Sequence, residues 1–351
     1  MSALAGIEIG GQQVGGAAPC FVIAEAGVNH NGDVALAERL IDAAADAHAD
    51  AVKFQTFAPD RLVSSSADKA AYQKQTTGGG TQREMLERLA LPTSAWPRLK
   101  ERAARRGVLF FSTPFDEVSA DLLLDLGVPA LKIGSGELTN HLLLSHVSNA
   151  RVPLLLSTGM ATMDEVRAGV DVARAHGAPL ALFHCVSSYP AEAADCNLRA
   201  MATLRAALAC PVGFSDHTLG LTVPIAAVAM GAELLEKHLT LDPSMEGPDH
   251  RASLDPRGFA ELVVAVRAVE ASLGDGEKRP RAAEQDVRRV ARRSLFWARS
   301  VKRGAVIERG DLRALRPASG ISPARFGELV GKRTAVDVEA GAMIKAEDLA
   351  S

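Results

Sequence analysis

The sequence GFSDHTLGLTVPIAAVAMGAELLEKH, residues 213–238, decides the fold of this chain. It predicts a short apolar strand over 211–214, a polar turn with Ser215, Asp216 and His217, an apolar helix from about Val223, and a strand ending at His238. Neighbouring parallel strands lie about 4.8 Å apart, so both imidazoles can reach one metal ion. A lone histidine at a strand end is more often a hydrogen-bonded surface residue, so this hypothesis depends on whether the pattern recurs.

The same alternation of a short apolar strand, a polar or Gly-rich turn and a helical pattern recurs along the chain. Eight such units in about 250 residues favour an α/β fold with a closed (β/α)8 TIM barrel. The alternative, an open doubly wound sheet, predicts a GxGxxG loop after the first strand, and AEAGVNHNG lacks that spacing. The predicted strands cover 21–24, 51–54, 108–112, 130–133, 154–157, 180–184, 211–214 and 234–238.

The composition changes after Leu273. Residues 1–273 form the predicted barrel domain, and the polar, strongly basic stretch 274–290 is typical of an exposed linker. Residues 291–351 contain short strands, Gly turns and two similar phrases, RGAVIERGDLRALRP and AGAMIKAEDLAS. We therefore predict a second, small and mostly β domain.

Composition also limits the function classes. A formal net charge of -3 gives no basic footprint for nucleic acid, and 4% aromatic residues argue against stacking platforms for bases. The sequence has no secretory signal pattern and no apolar run near the roughly 20 residues that span a bilayer. Cys20, Cys185, Cys196 and Cys210 form no CxxC pair, which suits reduced thiols. These features predict a cytoplasmic protein with no nucleic-acid or membrane partner.

Polar or ionisable side chains lie at the end of nearly every predicted strand. In TIM barrels the active site is built from the C-terminal ends of many strands. A purely structural protein would have little reason to desolvate so many charges at one mouth, so the pattern favours a functional site. These strand-end residues are Glu25, Lys53, Gln55, Thr113, Lys132, Ser135, Glu137, Ser157, His184, Ser215, His217, Glu236 and His238.

The two lysines, Lys53 and Lys132, point to an anionic substrate. Together with the strand-end hydroxyl groups they are the residue types that bind a phosphate or a carboxylate. Gly134, in KIGSGE, would let backbone amides approach that anion closely. The alternative is that each lysine pairs with a neighbouring carboxylate and binds nothing else.

The two histidines, His217 and His238, lack a third strong protein ligand in the sequence pattern. Such a pair suits an octahedral ion completed by water and substrate oxygens, with Mn²⁺ expected and Mg²⁺ or Co²⁺ as alternatives. The ion would act as a Lewis acid on a substrate carbonyl. Glu25 and Glu137 are candidates to bind hydroxyl groups or relay protons, and Asp249, after the last strand, could hold a diol.

Residues 67–91, ADKAAYQKQTTGGGTQREMLERLAL, form a long connection after the second strand. Connections of that length are usually functional lids or disordered segments. The sequence favours a lid over the barrel mouth, with TTGGGT as its flexible tip.

The motifs as a set resemble the sialic acid synthase family, with a C-terminal antifreeze-like (SAF) domain. The resemblance covers nearly the whole chain, because the phrases occur in the same order. They are IAEAGVNHNG, AVKFQTF, FFSTPF, LKIGSGE, LLSTGM, FHCVSSYPA, GFSDHT, LEKHLT, GPDHRAS and RPASGIS. The resemblance implies condensation of phosphoenolpyruvate with an open-chain N-acetylated hexosamine, giving a nine-carbon 2-keto acid and phosphate.

The resemblance also implies residue roles and a partner. His217 and His238 would bind the divalent metal, and Glu25 would lie beside the metal and the reacting carbons. Arg316 would reach the sugar's N-acetyl group from the partner subunit's SAF domain, which implies a domain-swapped homodimer. Phosphoenolpyruvate would be held by Lys53, Gln55, Thr113, Lys132, Ser135, Ser157, Ser187 and Ser215, and the sugar by Glu137, Tyr189 and Asp249.

Two positions depart from the family pattern. Some members carry Asn at the position of Ser187, which affects one phosphate contact. The RPGxG phrase of the SAF domain is RPASG here, residues 316–320, although Arg316 is retained.

Three hypotheses remain open from the sequence. The first is N-acetylneuraminate synthesis from N-acetylmannosamine, with legionaminate synthesis from 2,4-diacetamido-2,4,6-trideoxymannose as its alternative. The second is the same chemistry on another aldose, such as a pseudaminate precursor or a sugar phosphate. The third is a carbohydrate-binding or ice-binding protein with an inactive barrel.

Overall fold

The computed structural model describes residues 6–350. The chain divides into two units, of which the first ends at Gly274 and the second begins at Asp275. The first unit contains a barrel of eight parallel strands, which is closed because the first strand of the barrel pairs with the last. The closed barrel confirms the predicted TIM fold and excludes the open doubly wound sheet.

The strands, in chain order, are β1 (Ile7–Ile9), β2 (Gln12–Val14), β3 (Phe21–Gly27), β4 (Ala51–Thr56), β5 (Leu109–Pro114), β6 (Leu131–Ile133), β7 (Leu154–Ser157), β8 (Leu180–Cys185), β9 (Val212–Asp216), β10 (Leu234–His238), β11 (Ser294–Trp297) and β12 (Leu312–Leu315). The barrel consists of β3 to β10 in sequence order. Most residues of the barrel strands are buried. This is expected because one face of each strand points into the packed interior of the barrel and the other packs against the surrounding helices.

The helices are α1 (Val34–Asp46), α2 (Pro59–Leu62), α3 (Ala71–Thr77), α4 (Gln82–Leu89), α5 (Ala95–Arg106), α6 (Glu117–Asp125), α7 (His141–Ser148), α8 (Met163–Arg174), α9 (Ala200–Leu208), α10 (Thr222–Ala229), α11 (Pro256–Leu273) and α12 (Gln285–Ala291). Several begin at side-chain caps. The Asp33 side chain accepts from the first amides of α1, and Thr162 and Glu165 form a capping box on α8. Among residues 6–350, no helix is both long and apolar enough to cross a membrane.

The predicted turn after the seventh barrel strand begins later than expected. Ser215 and Asp216 belong to β9, because they pair with Glu236 and Lys237 of β10. Pairing with a neighbouring strand keeps these polar residues extended, which a sequence pattern alone cannot show. His217 then lies immediately after β9, and His238 is the last residue of β10.

An N-terminal hairpin, β1 and β2, was not predicted. Its Gly10 and Gly11 have φ angles of 56° and 84°, which suit a tight two-residue turn. Gly10 lies against Leu109 and Pro129, and Ile9 is fully buried. Because Leu109 and Pro129 are at or near the starts of their strands, the hairpin covers the end of the barrel opposite the polar strand ends.

The second unit is small and built from short strands and turns, as predicted for the SAF domain. β11 pairs antiparallel with β12, and further single bridges join Val301 to Val338 and Phe296 to Met343. Its core includes Trp297, which is fully buried. The stretch assigned to the linker contains α12, and the amide of Ala318 donates to the Arg289 carbonyl.

An ion pair with no exposed surface joins β9 to β10. Lys237 Nζ lies 2.6 Å from Asp216 Oδ2, and the side chains of both residues are 0% exposed. Lys237 also donates to the Thr218 carbonyl, while Asp216 Oδ1 accepts from the Thr218 amide at 3.0 Å and its hydroxyl at 2.9 Å. The pair therefore fixes the turn that carries His217.

We expect Lys237→Met to lower the free energy of unfolding by about 3–5 kcal/mol, because it leaves the buried Asp216 carboxylate without its partner. Urea unfolding followed by circular dichroism measures this change. Arg257→Met is the control, since its ion pair with Glu261 is exposed and contributes less than about 1 kcal/mol. Equal losses in both variants would contradict the structural role of Lys237.

We expect Gly213→Ala in β9 to destabilise the barrel by about 1–3 kcal/mol through overpacking. A Cβ at this position would contact the Leu234 carbonyl oxygen and lie 2.7 Å from Leu234 Cβ. Gly79→Ala is the control, because nothing lies within 4 Å of its added methyl group. An unchanged urea midpoint for Gly213→Ala would show that β9 and β10 can separate without cost.

Candidate active site

The polar strand ends, apart from His184, line one cavity of about 470 Å³ in the mouth of the barrel. His184 instead lies with its Nε2 2.7 Å from the Cys196 carbonyl oxygen. The residues of the first unit that were predicted to bind substrate or metal or to act in catalysis all line the cavity. These residues are Glu25, Lys53, Gln55, Thr113, Lys132, Ser135, Glu137, Ser157, Ser187, Tyr189, Ser215, His217, His238 and Asp249. Arg316 belongs to the second unit, where it is exposed just after β12.

A cluster of buried charges forms the floor of the cavity. Lys53 Nζ lies 2.6 Å from Glu25 Oε2 and 3.7 Å from Glu236 Oε2, and it donates to Thr113 Oγ1 at 3.1 Å. Lys132 Nζ lies 3.3 Å from Glu236 Oε1. Each of the four charged side chains is 5% exposed or less. We call Glu25, Lys53, Lys132 and Glu236 the charged floor.

The charged floor fixes the protonation of its central carboxylate. Burial alone would raise the pKa of Glu236, but Lys132 and Lys53 outweigh burial and lower it to about 2. Burial raises the pKa of Glu25 by more than the nearby Lys53 lowers it. Glu25 therefore accepts a proton more readily than an ordinary carboxylate. Burial lowers the pKa of Lys132, whereas Glu236 and Glu25 outweigh burial and raise the pKa of Lys53, so Lys53 is the more firmly protonated of the two lysines.

Hydroxyl groups surround this floor. Ser157 Oγ accepts from Lys132 Nζ at 2.7 Å, and Ser215 Oγ donates to Glu236 Oε1 at 3.0 Å. Gln55 Nε2 donates to the free oxygen of Glu25, Oε1, at 3.1 Å. Ser157, which accepts from Lys132, can donate its own O–H to a phosphate or carboxylate oxygen, whereas Ser215 and Gln55 donate to the carboxylates of the floor.

A second group of hydroxyls converges on Gly159. Its amide donates to Ser135 Oγ at 3.1 Å, and a Cβ there would lie 2.5 Å from Ser187 Oγ and 2.8 Å from Ser135 Oγ. Gly134, which we expected to allow close approach, has no atom nearer than 3.8 Å to such a Cβ. The space beside Gly134, which lines the cavity, is therefore open, and close approach of an anion there stays a prediction, whereas the crowded backbone position is Gly159 in the next loop.

The two histidines lie together at one side of the floor, with ring centroids 5.4 Å apart. His217 Nδ1 lies 2.6 Å from the Val186 carbonyl oxygen, which assigns the hydrogen to Nδ1 and leaves Nε2 as a lone-pair donor. Burial lowers the pKa of His217 to about 4 and that of His238 well below its ordinary value. Both imidazoles are therefore neutral at pH 7, the form that binds a metal ion.

The surroundings of His238 fit a metal ligand. Its Nδ1 is buried without a hydrogen-bond partner, and Asp249 Oδ2, the nearest carboxylate oxygen in contact, is 3.9 Å away. Within residues 6–350, no group of three or more His, Cys, Asp and Glu side chains is arranged to hold a metal. A metal ion here would have two imidazole ligands and would need water and substrate oxygens for the rest.

The remaining predicted residues lie around the rim of the site. The Tyr189 ring is 4.2 Å from the His217 ring, centroid to centroid. Glu137 Oε2 accepts from Asn140 Nδ2 at 2.6 Å in the turn after β6. Burial, followed by the charge of Glu25, raises the pKa of Asp249 to about 7. These side chains could bind the hydroxyl groups of a substrate above the charged floor.

For two residues of the site the sequence predicted no role. Glu236 was noted only as a strand-end residue, yet it contacts both lysines and Ser215. The sequence feature that could have indicated Glu236 is LLEKH, because side chains alternate between the two faces of a strand and Glu236 therefore shares a face of β10 with His238. Tyr72 comes from α3 in the lid and stacks on Tyr189, with centroids 5.2 Å apart, and no local pattern indicated that contact.

The lid, residues 67–91, covers part of this cavity. The structure replaces the expected long loop by two helices, α3 and α4, joined by the Gly-rich turn. Tyr72, Gln73, Met85, Leu86 and Leu89 from these helices line the cavity. The lid therefore forms one wall of the site.

Comparison with known proteins assigns both units to families. The NeuB family model matches residues 40–278, and the SAF domain model matches residues 292–350. The chain is 47% identical to N,N'-diacetyllegionaminic acid synthase of Legionella pneumophila, over 93% of this chain and 94% of that protein. It is 33% identical to human N-acetylneuraminate-9-phosphate synthase, over 94% of this chain and 92% of that protein.

Solved structures agree with this assignment. The N-acetylneuraminic acid synthetase of Leptospira borgpetersenii is 36% identical, with a TM-score of 0.72, over 81% of this chain and 95% of that chain. An inactive carbohydrate-binding barrel is thereby excluded. The chain belongs to the NeuB family, and it is an enzyme of the phosphoenolpyruvate-dependent type that condenses this substrate with an amino sugar.

Proposed function

We propose that the acceptor is 2,4-diacetamido-2,4,6-trideoxymannose and that the product is N,N'-diacetyllegionaminic acid. The Legionella relative of that name is more similar in sequence than the human N-acetylneuraminate-9-phosphate synthase. N-acetylmannosamine, the first expectation from the sequence, becomes the second candidate. A pseudaminate precursor is the third, since a pseudaminic acid synthase of Campylobacter jejuni is 34% identical.

An apolar wall in the cavity supports this acceptor over N-acetylmannosamine. Its residues pack into one cluster, which includes Met85, Leu86 and Leu89 of the lid. A 6-deoxy sugar ends in a methyl group where N-acetylmannosamine has a hydroxyl, and an apolar wall accepts a methyl group without an unsatisfied polar contact. The full wall is Val28, Phe57, Leu62, Val63, Met85, Leu86 and Leu89.

The charges in the cavity also favour an unphosphorylated sugar. Among the described residues that line it, the cationic ones are Lys53 and Lys132, and both belong to the charged floor. A 6-phosphate at the apolar wall would have no cation to pair with, although phosphate sites normally use charge-assisted bonds. The floor would instead bind the phosphate and carboxylate of phosphoenolpyruvate, with Ser135, Ser157 and Ser187 as further donors.

The reaction joins the methylene carbon of phosphoenolpyruvate to the aldehyde carbon of the open-chain sugar. The carbon that bears the phosphate becomes cationic, water adds to it, and phosphate leaves with cleavage of its C–O bond. Glu25, whose pKa is raised by burial, would accept the proton that the water loses. Glu137, Tyr189 and Asp249 would hold the sugar's hydroxyl and acetamido groups.

A divalent ion, Mn²⁺ by preference, would be held by His217 and His238. The unpartnered Nδ1 of His238 and the two neutral imidazoles support this placement. When bound, the ion supplies Lewis-acid polarisation of the aldehyde oxygen. Mg²⁺ and Co²⁺ remain alternatives, since few protein ligands constrain the choice.

We further propose a domain-swapped homodimer in which Arg316 from one protomer completes the site of its partner. Arg316 is exposed and makes no ion pair among the described residues, so its guanidinium is available to an acetamido oxygen. The neighbouring Arg313 is also exposed. It offers a matched control for charge alone.

We expect phosphate release from phosphoenolpyruvate with 2,4-diacetamido-2,4,6-trideoxymannose, and at least about tenfold lower kcat/KM with N-acetylmannosamine. The latter lacks the 4-acetamido group and brings a 6-hydroxyl to the apolar wall, where burial of an unpaired hydroxyl costs about 1–3 kcal/mol. A colorimetric phosphate assay with Mn²⁺ measures both rates. N-acetylmannosamine 6-phosphate and a pseudaminate precursor are the comparison substrates. A chelator should abolish the activity, and Mn²⁺ should restore it.

A higher kcat/KM with N-acetylmannosamine would overturn the proposed acceptor but keep the reaction. Full activity in the chelator after exhaustive metal removal would overturn the role of the two histidines.

We expect Arg316→Ala to raise the KM of the sugar by roughly tenfold or more, because the sugar loses a charged hydrogen bond. The KM of phosphoenolpyruvate should change less. Arg313→Ala should change neither value. Steady-state kinetics with each substrate varied in turn measures both constants. Equal increases for the two substrates would contradict a sugar contact.

The swap itself is tested by mixing two impaired variants, Arg316→Ala and His217→Ala, under conditions that exchange subunits. In a swapped heterodimer one of the two sites contains neither substitution, so about a quarter of the wild-type rate should return at low sugar concentration. If Arg316 acts within its own protomer, no site is restored. The absence of recovery after verified exchange would therefore contradict the swap.

A further inference from the structure

We propose that Tyr72 of the lid contacts the acceptor sugar, and that Lys69 is the positioning residue that holds Tyr72 over the site. The identity of the sugar in this inference rests on the proposed function. The placement of Tyr72 by Lys69 does not, since it concerns the protein without substrate.

Tyr72 belongs to an aromatic column that runs from the lid to the histidines. Its ring stacks on Tyr189 at 5.2 Å between centroids and 27° between planes, and Tyr189 in turn lies 4.2 Å from His217. Both tyrosines line the cavity. They are the only two tyrosines of the chain. The column thus places a lid side chain beside the groups expected to bind the reacting aldehyde.

The position of the Tyr72 hydroxyl supports a sugar contact. Burial, and then the charge of Asp249, raise the pKa of Tyr72, so the phenol lies near the carboxyl group expected to hold the sugar. Its oxygen is 3.4 Å from Gln73 Nε2, a long contact that leaves the hydroxyl able to bond elsewhere. An aromatic face with a polar tip is suited to a sugar with methyl and hydroxyl groups.

The local contacts that hold α3 are few. The helix has seven residues, and its N-cap, Ala70, offers no side-chain acceptor, although the Ala70 amide donates to Gln73 Oε1 at 3.0 Å. Isolated helices shorter than about 12 residues are marginal in water. Contacts from outside the helix must therefore hold Tyr72 against Tyr189.

Lys69 supplies such contacts at the C-terminal end of α3. Its Nζ donates to Thr77 Oγ1 at 3.0 Å, to the Gly78 carbonyl at 3.2 Å and to the Gly79 carbonyl at 2.7 Å. A cation at the carbonyl end of a helix also stabilises the helix dipole. These bonds tie the residue before α3 to the turn after it.

Lys69 is buried, so its ammonium group depends on the hydrogen bonds that it donates to the Gly-rich turn. Lys69 is 5% exposed, and within residues 6–350 it forms no ion pair with a carboxylate. A buried ammonium is costly unless its donors are satisfied, and here the Gly-rich turn satisfies them. Gly78 and Gly80, with φ angles of 68° and 91°, allow the turn to fold back on Lys69.

Fluorine NMR of the protein labelled with 3-fluorotyrosine tests the positioning role directly. Two resonances are expected, and Tyr72→Phe assigns them by removing one. In Lys69→Met the Tyr72 resonance should move toward that of free fluorotyrosine, because the stack on Tyr189 is lost. Lys74→Met is the matched control, since Lys74 is exposed and has only a 3.8 Å ion pair with Asp68. An unchanged Tyr72 resonance in Lys69→Met would overturn the role of Lys69.

Kinetics tests the sugar contact with whichever acceptor releases phosphate. Tyr72→Ala should raise the KM of the acceptor roughly tenfold, the upper value for one aromatic contact, and leave the KM of phosphoenolpyruvate within about twofold. Tyr72→Phe keeps the ring but removes the hydroxyl and should recover only part of this loss, and Lys69→Met should resemble Tyr72→Ala. Equal increases in both KM values, or a change in kcat alone, would overturn the contact.

The two experiments separate the possible failures. If no acceptor releases phosphate, the proposed function fails while the fluorine spectra still decide the role of Lys69. If the acceptor is confirmed but its KM does not respond to Tyr72→Ala, the sugar contact fails alone.

Discussion

The site depends on one ion pair that crosses the barrel. Lys132 is on β6 and Glu236 on β10, four strands apart around the ring in either direction, yet their charged atoms lie 3.3 Å apart. In an open sheet four strands span about 19 Å at the usual spacing, so only a closed barrel brings these side chains together. The same carboxylate also contacts Lys53 on β4. The charged floor therefore forms only when the barrel closes. An arrangement of the strands that left these buried charges unpaired would be costly.

The sequence predicted the barrel and the residues of its mouth because both depend on local patterns. Each strand reads as a short apolar run, and the residue type at its end is visible without knowing its neighbours. The role of Glu236 was not predictable in this way, because its partners, Lys53 and Lys132, come from distant strands. The extension of β9 through Asp216 was missed for the same reason, since pairing with Lys237 keeps a polar pair extended. The strands and the polar residues at their ends were therefore predictable, while the contacts between side chains on distant strands were not.

Elements held by tertiary contacts rather than by propensity were also missed. The two helices of the lid were not predicted, nor were the bonds from the Lys69 ammonium to the carbonyls of the Gly-rich turn beside α3. The N-terminal hairpin had a sequence signal, the Gly10–Gly11 pair between two short strands, yet three-residue strands are too short for alternation to be convincing.

The cavity has two chemically different surfaces, the charged floor and the apolar wall, and they come from different parts of the chain. The floor consists of strand ends whose positions are fixed by the hydrogen-bonded barrel, and its charge suits phosphoenolpyruvate whichever sugar is used. The apolar wall comes largely from the lid and the adjoining loops, which contribute little to the barrel core. Substitutions in the wall therefore leave the charged floor intact, whereas a change at Glu236 disturbs both lysines at once. Because the two surfaces are separately supported, one fold can keep a single condensation reaction while the acceptor sugar changes with the residues of the lid.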